Sequence, residues 1–142
     1  MGRIKVDING KKLFQTCIPV RITDLNYGQH LGNDAMVSIL HEARLQWLTF
    51  MDATELKFHG TSLIMAGLMV EYNNESFYGD RLEICLYAGQ TSAAGFELYY
   101  EVSCVRKGLE VLICKAKTDM VCFDYSNRKI CELPATVAAI LK

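Results

Sequence analysis

One stretch of this chain, Asn33 to about Met51, repeats its apolar residues with the period of a helix, while the segments on either side alternate like strands. At roughly 100° per residue, Met36, Ile39, Leu40, Ala43, Trp47, Phe50 and Met51 fall within one sector of roughly 120°. Ser38, Glu42, Gln46 and Thr49 lie on another side. Val37, Leu45 and Leu48 fall outside the main apolar sector, so the helix is expected to be covered on more than one side. Asn33 is expected to cap it, with Asp34 favourably placed in the first turn. One long amphipathic helix and a series of strands bury their apolar faces together in an α+β arrangement, the helix packed on a bent antiparallel sheet.

The strand-like segments are specific enough to place. Ile4 to Ile8 alternates, Asn9-Gly10 is a strong hairpin-turn signal, and alternation resumes at Leu13, which predicts an opening hairpin. Pro19 cannot donate to a ladder, so its strand is expected at a sheet edge or at a bulge. Thr23 to Gly32 has no clear period and reads as a structured loop. The run Leu63 to Val70 is almost wholly apolar and is expected to be a strand buried on both faces. Leu82, Ile84, Leu86 and Ala88 share one face of a strand, as do Phe96, Leu98, Tyr100, Val102 and Cys104 of the next. Leu112, Cys114, Ala116, Thr118 and Met120 follow on a third, giving an expected meander after the helix. Pro134 can start a short C-terminal helix, Ala135 to Leu141.

The chain of 142 residues is read as a single domain spanning residues 1–142. Its net charge of −1 includes no basic stripe to neutralise a phosphate backbone, which argues against nucleic acid as a partner. No apolar run approaches the roughly 20 residues of a membrane span. The six cysteines include no Cys-x-x-Cys pair and none has a histidine at metal spacing. They are expected to be free thiols, with no metal site, in a reducing, cytoplasmic compartment.

Titratable side chains concentrate in the loop Asp24-Leu25-Asn26-Tyr27-Gly28-Gln29-His30-Leu31-Gly32-Asn33. It delivers Asp24 and His30 beside a helix N-terminus, whose first amides have no internal partner and carry partial positive charge. Such amides can polarise a carbonyl, and a nearby carboxylate can attack the acyl carbon or activate water. The same residue types are also common in capped turns, so on composition alone both readings stay open.

The loop leads into Leu40-His41-Glu42-Ala43-Arg44-Leu45-Gln46-Trp47-Leu48, and Tyr78-Gly79-Asp80-Arg81-Leu82-Glu83-Ile84 follows later. Together these resemble the hotdog-fold thioesterases of the 4-hydroxybenzoyl-CoA thioesterase type, along nearly the whole chain. The resemblance implies a hotdog fold, with one long central helix wrapped by a bent antiparallel sheet of roughly five to six strands. It implies hydrolysis of an acyl-CoA or acyl-carrier-protein thioester, in a homodimer or a dimer of dimers, with no cofactor beyond the CoA of the substrate. By the same resemblance Asp24 is the nucleophile or general base, and the Leu31 backbone amide polarises the carbonyl. His30 matches a catalytic histidine of plant acyl-carrier-protein thioesterases. Those enzymes carry Asn two residues before it, where this chain has Gly28, with Asn26 two positions earlier, so His30 ranks below Asp24. Asn26, Gly28, Gly32 and Asn33 are expected to contact substrate. Arg44 is a candidate for a CoA phosphate, with a structural ion pair as the favoured reading.

Two other readings remain in view. A hotdog 3-hydroxyacyl thioester dehydratase would pair His30 with Glu42, which leaves Asp24 without a role. A non-catalytic acyl-binding protein would need no acid beside the thioester. Ser38, Ser62 and Ser103 have no Gly-x-Ser-x-Gly setting, so a serine nucleophile of the α/β-hydrolase kind is not supported.

Overall fold

The computed structural model describes residues 2–142. The elements run β1 (Lys12–Pro19), a short 3-10 turn (Ile22–Asp24), α1 (Asn33–Phe50), β2 (Ser62–Tyr72), β3 (Arg81–Thr91), β4 (Gly95–Arg106), β5 (Leu109–Asp124), β6 (Lys129–Ile130) and α2 (Ala135–Leu141). All six strands join one antiparallel sheet in the order β1-β3-β4-β5-β2, with β6 added beside β5. This is the expected α+β architecture of one long helix and a single antiparallel sheet.

Alternation decides which face of the sheet meets the helix. Leu82, Ile84, Leu86 and Ala88 of β3 are buried, as are Phe96, Leu98, Tyr100, Val102 and Cys104 of β4. They pack with Met36, Ile39, Leu40, Ala43, Trp47 and Leu48 of α1 in one core. Trp47 meets Phe96 edge-on, with ring centroids 6.3 Å apart, an arrangement that aromatic quadrupoles favour. Leu48, outside the expected apolar sector, is fully buried, whereas Phe50, inside it, is exposed and lies against Phe14.

Four expectations are corrected. The opening hairpin does not form: residues 2–9 contain no strand, and β1 pairs with β3 instead. The start of the chain is tied to the end of β2, where the Val6 amide donates to Glu71 (2.7 Å) and Arg3 to the Tyr72 carbonyl (3.3 Å). Gly10 serves close approach rather than a hairpin, since a Cβ there would fall 1.6 Å from the Ala88 carbonyl oxygen. The strands after the helix are not one meander, because β2 skips its sequence neighbour and pairs with β5. Asn33 does not cap α1. Gly32 occupies the cap position, and Asn33 begins the helix with its side chain accepting from the Asp34 amide (2.8 Å).

The fourth correction concerns β2, which is an edge strand rather than one buried on both faces. Leu63 is buried, but Met65, Leu68, Met69 and Tyr72 are exposed. Apolarity along the segment signalled burial, but of this run Leu63 alone joins the core, with Val70 packed partly against it. At the opposite edge β1 carries Pro19, as its missing donor requires. All six cysteines are free. Cys104, Cys114 and Cys122 are buried, and Cys17, Cys85 and Cys131 are half-buried. Burial pushes the Cys114 thiol up to about 12, so it behaves as a small apolar group.

Candidate active site

The loop before α1 folds on itself. The Asn26 amide donates to the His30 carbonyl (2.9 Å), Gly32 to that of Asp24 (3.0 Å), and the Asn26 side chain accepts from Gly28 (2.9 Å). Residues 72–76 form the facing wall. The Leu31 amide donates to the Ser76 carbonyl (2.8 Å), and the Tyr72 hydroxyl donates to the Asn33 carbonyl (2.8 Å). Asp80 braces that wall by accepting from Ser76 Oγ, the Phe77 amide and Arg106 (2.9, 2.8 and 2.7 Å).

Between the two walls lies an open cleft of about 780 Å³. It is lined on one side by Asn26, His30, Gly32, Asn33 and Asp34, and on the other by Tyr72, Asn73 and Glu75. The helix start opens into it. Among the described residues, the amides of Asn33 and Ala35 have no partner within the chain. His30 Nδ1 lies 3.3 Å from the Leu31 carbonyl. A carbonyl only accepts, so this contact places a proton on Nδ1 and turns Nε2 outward, 3.9 Å from Glu75. Asn73 Oδ1 is buried at the cleft wall without a partner.

The structure therefore gathers Asn26, Gly32, Asn33, His30 and Leu31 at one cleft, with Gly28 on the adjoining turn. It does not bring Asp24 there. Asp24 is buried beneath the loop, and Arg21 takes both of its oxygens, Oδ2 through the amide (2.8 Å) and Nε (3.2 Å), and Oδ1 through Nη2 (3.1 Å). Burial alone would raise the Asp24 carboxyl, but the Arg21 hydrogen bonds and charge outweigh it and hold it below the usual carboxylate range. The Leu31 amide, expected to be the free donor, is occupied by Ser76, and the Asn33 and Ala35 amides are the open ones. Arg44 is also away from the cleft. It is buried, paired with Glu55 (3.1 Å) and donating to the Tyr100 hydroxyl (3.1 Å), which is the structural ion pair. Glu42 is exposed, accepts from Gln46 (2.8 Å) and does not line the cleft, so His30 and Glu42 do not meet within the chain.

Sequence reasoning missed the facing wall. Its signal was the polar run Asn73-Asn74-Glu75-Ser76 directly after an apolar strand, where the chain has no periodic reason to be ordered. Among the described residues there is no group of three or more metal-ligating side chains and no helix long and apolar enough to cross a membrane.

The paired carboxylates make stability sensitive to acid. Asp24, Glu55 and Asp80 are each held below their ordinary values, burial opposing the shift and the partners Arg21, His41 with Arg44, and Arg106 outweighing it. A lowered folded-state pKa stabilises the fold above the unfolded value, and that contribution is lost as pH falls through the folded value. Urea midpoints should therefore be flat between about pH 7 and 5 and fall progressively below about pH 4. Asp80→Asn should lower the midpoint at neutral pH and flatten the acid slope. A slope unchanged in that variant would show that Asp80 contributes nothing to it.

The comparisons with known proteins bear on the family and the fold. The family model of the thioesterase-like superfamily matches residues 20–141. A 1,4-dihydroxy-2-naphthoyl-CoA hydrolase of Nostoc punctiforme is 36% identical over 73 residues, which are 51% of this chain and 47% of that enzyme. The match thus spans about half of that relative's length. Among solved structures, a 1,4-dihydroxy-2-naphthoyl-CoA thioesterase from Synechocystis superposes with a TM-score of 0.77 at 24% identity, covering 90% of this chain and 94% of its own. A DHNA-CoA thioesterase from Staphylococcus aureus gives 0.73 at 18% identity, covering 84% and 79%. These structures share the hotdog arrangement of sheet and helix, and the match over residues 20–141 makes the chain a member of the thioesterase-like superfamily.

Proposed function

We propose that this protein hydrolyses the thioester of an acyl-CoA to a free acid and a thiol. The observation that carries this reading is the cleft at the start of α1, in a chain of the thioesterase-like superfamily, lined by Asn33, whose helix amide has no partner within the chain. Backbone donors fixed at a helix N-terminus stabilise an oxyanion without reorganising during reaction. A carbonyl oxygen resting on the Asn33 amide would be polarised for attack. His30 orients water or the carbonyl from the loop, and Asn26 with the facing Asn73 offers hydrogen bonds to the substrate's polar arm.

The functional unit is proposed to be a homodimer that covers the β2 edge. Met65, Leu68, Met69 and Tyr72 are exposed on a strand with one open side, and open apolar edges are normally covered or blunted. Tyr72 also lines the cleft, so a partner at this edge would border the site. Sedimentation at micromolar concentration should show no major monomer, and a stable, active monomer would overturn the assembly. Six free thiols fit a reducing, cytoplasmic compartment.

Turnover of a panel of short, medium, long and aromatic acyl-CoAs, together with an acylated carrier protein, tests the activity through release of free thiol. Hydrolysis of at least one acyl-CoA is expected. The relatives named as dihydroxynaphthoyl-CoA hydrolases place aromatic members first in that panel. Tight binding of acyl-CoA without turnover of any member would replace this reading with a non-catalytic acyl-binding role.

A further inference from the structure

We infer that Cys122 and Cys131 are a peroxide-oxidisable pair, in which Cys131 takes up the oxidising oxygen and Cys122 resolves it as a disulfide across the β5–β6 turn. The backbone sets the two opposite each other. β6 pairs with β5 at Phe123–Ile130 and Asp124–Lys129, and the next pair in that register is Cys122 with Cys131. The Cys131 amide donates to the Cys122 carbonyl (3.0 Å), which carries the register one pair further. Opposed residues of an antiparallel pair project from the same face, and hydrogen-bonded ones have Cα atoms about 5.5 Å apart. That spacing is in the range a disulfide bridges, about 4.4–6.8 Å. Cys122 is fully buried in the core and Cys131 packs partly against it. Among the described residues no other two cysteines oppose each other in the sheet. Cys17 faces Glu83, Cys85 faces Gln15 and Glu101, Cys104 faces Val111, and Cys114 faces Val102 and Tyr72.

The two thiols differ in the way the chemistry requires. Cys131 is half-buried and lines an open cavity of about 790 Å³ with Lys57, His59 and Glu132. Its Sγ lies 2.8 Å from Thr61 Oγ1, which holds it in place at the cavity wall. Cys122 has no exposure, and burial together with the neighbouring Cys131 pushes its thiol up to about 11. Oxidation selects the accessible sulfur, and a reversible outcome needs a second thiol within reach. The accessible member therefore meets the oxidant, and the buried one is shielded from it until a sulfenic acid forms beside it.

The oxidant is hydrogen peroxide. The Cys131 sulfur, as thiolate, attacks one peroxide oxygen. The oxygen–oxygen bond breaks with its electron pair on the departing hydroxide, which takes up the proton the thiol released and becomes water. Cys131 is then a sulfenic acid. The Cys122 sulfur attacks the Cys131 sulfur, the sulfur–oxygen bond breaks, and the hydroxide leaves with the Cys122 proton as a second water. Two thiols and one peroxide become one disulfide and two waters, with sulfur oxidised and peroxide oxygen reduced. In a reducing compartment such a bond is transient, and while it lasts it ties the C-terminal segment to β5.

The test treats the reduced full-length protein, freed of reductant, with a small excess of hydrogen peroxide, then denatures and alkylates it. Only the other four of the six thiols should be alkylated, and peptide mapping should join Cys122 to Cys131 with the loss of two hydrogens. Dithiothreitol should restore all six. Cys131→Ser should keep its remaining thiols under the same treatment. Cys122→Ala should halt at the sulfenic acid, captured at Cys131 by a dimedone probe. If Cys122→Ala does not fold, the wild type and Cys131→Ser decide, since serine matches cysteine in shape at a half-buried position. A wild type with six thiols after treatment, or a disulfide that joins any other pair or two chains, overturns the inference. Dimedone capture at Cys122 instead of Cys131 overturns it as well. None of these readouts involves thioester hydrolysis, so their failure leaves the proposed function where it stands.

Discussion

Arg44→Ala should lower the stability of the folded protein by about 3 kcal/mol, because it strands a carboxylate inside the structure. Arg44 is buried in the middle of α1, with its Nε on Glu55 and its Nη1 on the Tyr100 hydroxyl. Tyr100 in turn shares a 2.7 Å hydrogen bond with Thr118, and both are fully buried. Removal of the cation leaves Glu55 with His41 alone (2.9 Å) and takes a partner from the Tyr100 hydroxyl. Breaking such pairs costs about 3–5 kcal/mol when both partners are dry, and the Glu55 side chain is 26% exposed, which favours the lower end. For a chain of this length the melting temperature should drop by roughly 6–12 °C. The double variant Arg44→Met with Glu55→Gln should recover much of that loss, since it removes both charges and refills the volume. A double variant no more stable than Arg44→Ala would show that packing around the guanidinium, rather than the stranded charge, sets the cost.

Gly95→Ala should be more damaging still, by more than about 4 kcal/mol, a size reached only when the fold cannot absorb the change. At the start of β4 the Gly95 backbone crosses β5 so closely that a Cβ would lie 2.1 Å from the Met120 carbonyl oxygen. The clash is with main chain, so no rotamer relieves it. The neighbouring residues cannot retreat, because the Ala94 carbonyl accepts from Cys122 and the Ala93 carbonyl accepts from Leu133 (2.8 Å each). The β4–β5 ladder, the C-terminal segment and the Trp47–Phe96 contact therefore loosen together. Soluble yield and the urea midpoint should both collapse. A variant within 1 kcal/mol of wild type, on the order of an ordinary surface substitution, would mean that β4 and β5 slide apart at this end at little cost.

The legible parts of the sequence were those where one physical signal acts alone. In β3 and β4 the alternating residues face α1, and every one named from the pattern is buried. The helix was legible for the same reason, although its cap was not, since Gly32 competes with Asn33 on conformation rather than on side-chain chemistry. At Asn9-Gly10 a local turn signal lost to a long-range one, the need for Gly10 to pass the Ala88 carbonyl. The apolar run of β2 was read correctly as a strand and wrongly as buried on both faces, because periodicity says how apolar a segment is and not what lies against it.

The cleft was half legible. Asn26, His30, Gly32 and Asn33 share a loop, so their proximity follows from adjacency in sequence. Tyr72 to Ser76 reach them only through the β2–β5 pairing, a register that no local pattern specifies. The orientation of Asp24 was beyond pattern as well. Arg21 stands three residues away, but whether the carboxylate turns to it or to the cleft depends on the 3-10 turn between them.

The pairing of β2 with β5 also bears on how the chain is made. A ribosome releases α1 and β2 before the strand that must flank β2 exists. Roughly fifty residues separate the end of β2 from the end of β5, so at an elongation rate of about 5–20 residues per second β2 waits about 3–10 s for its neighbour. Throughout that interval an apolar segment rich in methionine is free to meet other nascent chains. Slowing translation across β3 and β4 should lengthen the wait and raise the aggregated fraction, with no change in the finished protein. A circular permutant that begins at β3 would emerge with β5 already in place before β2, and so escape it.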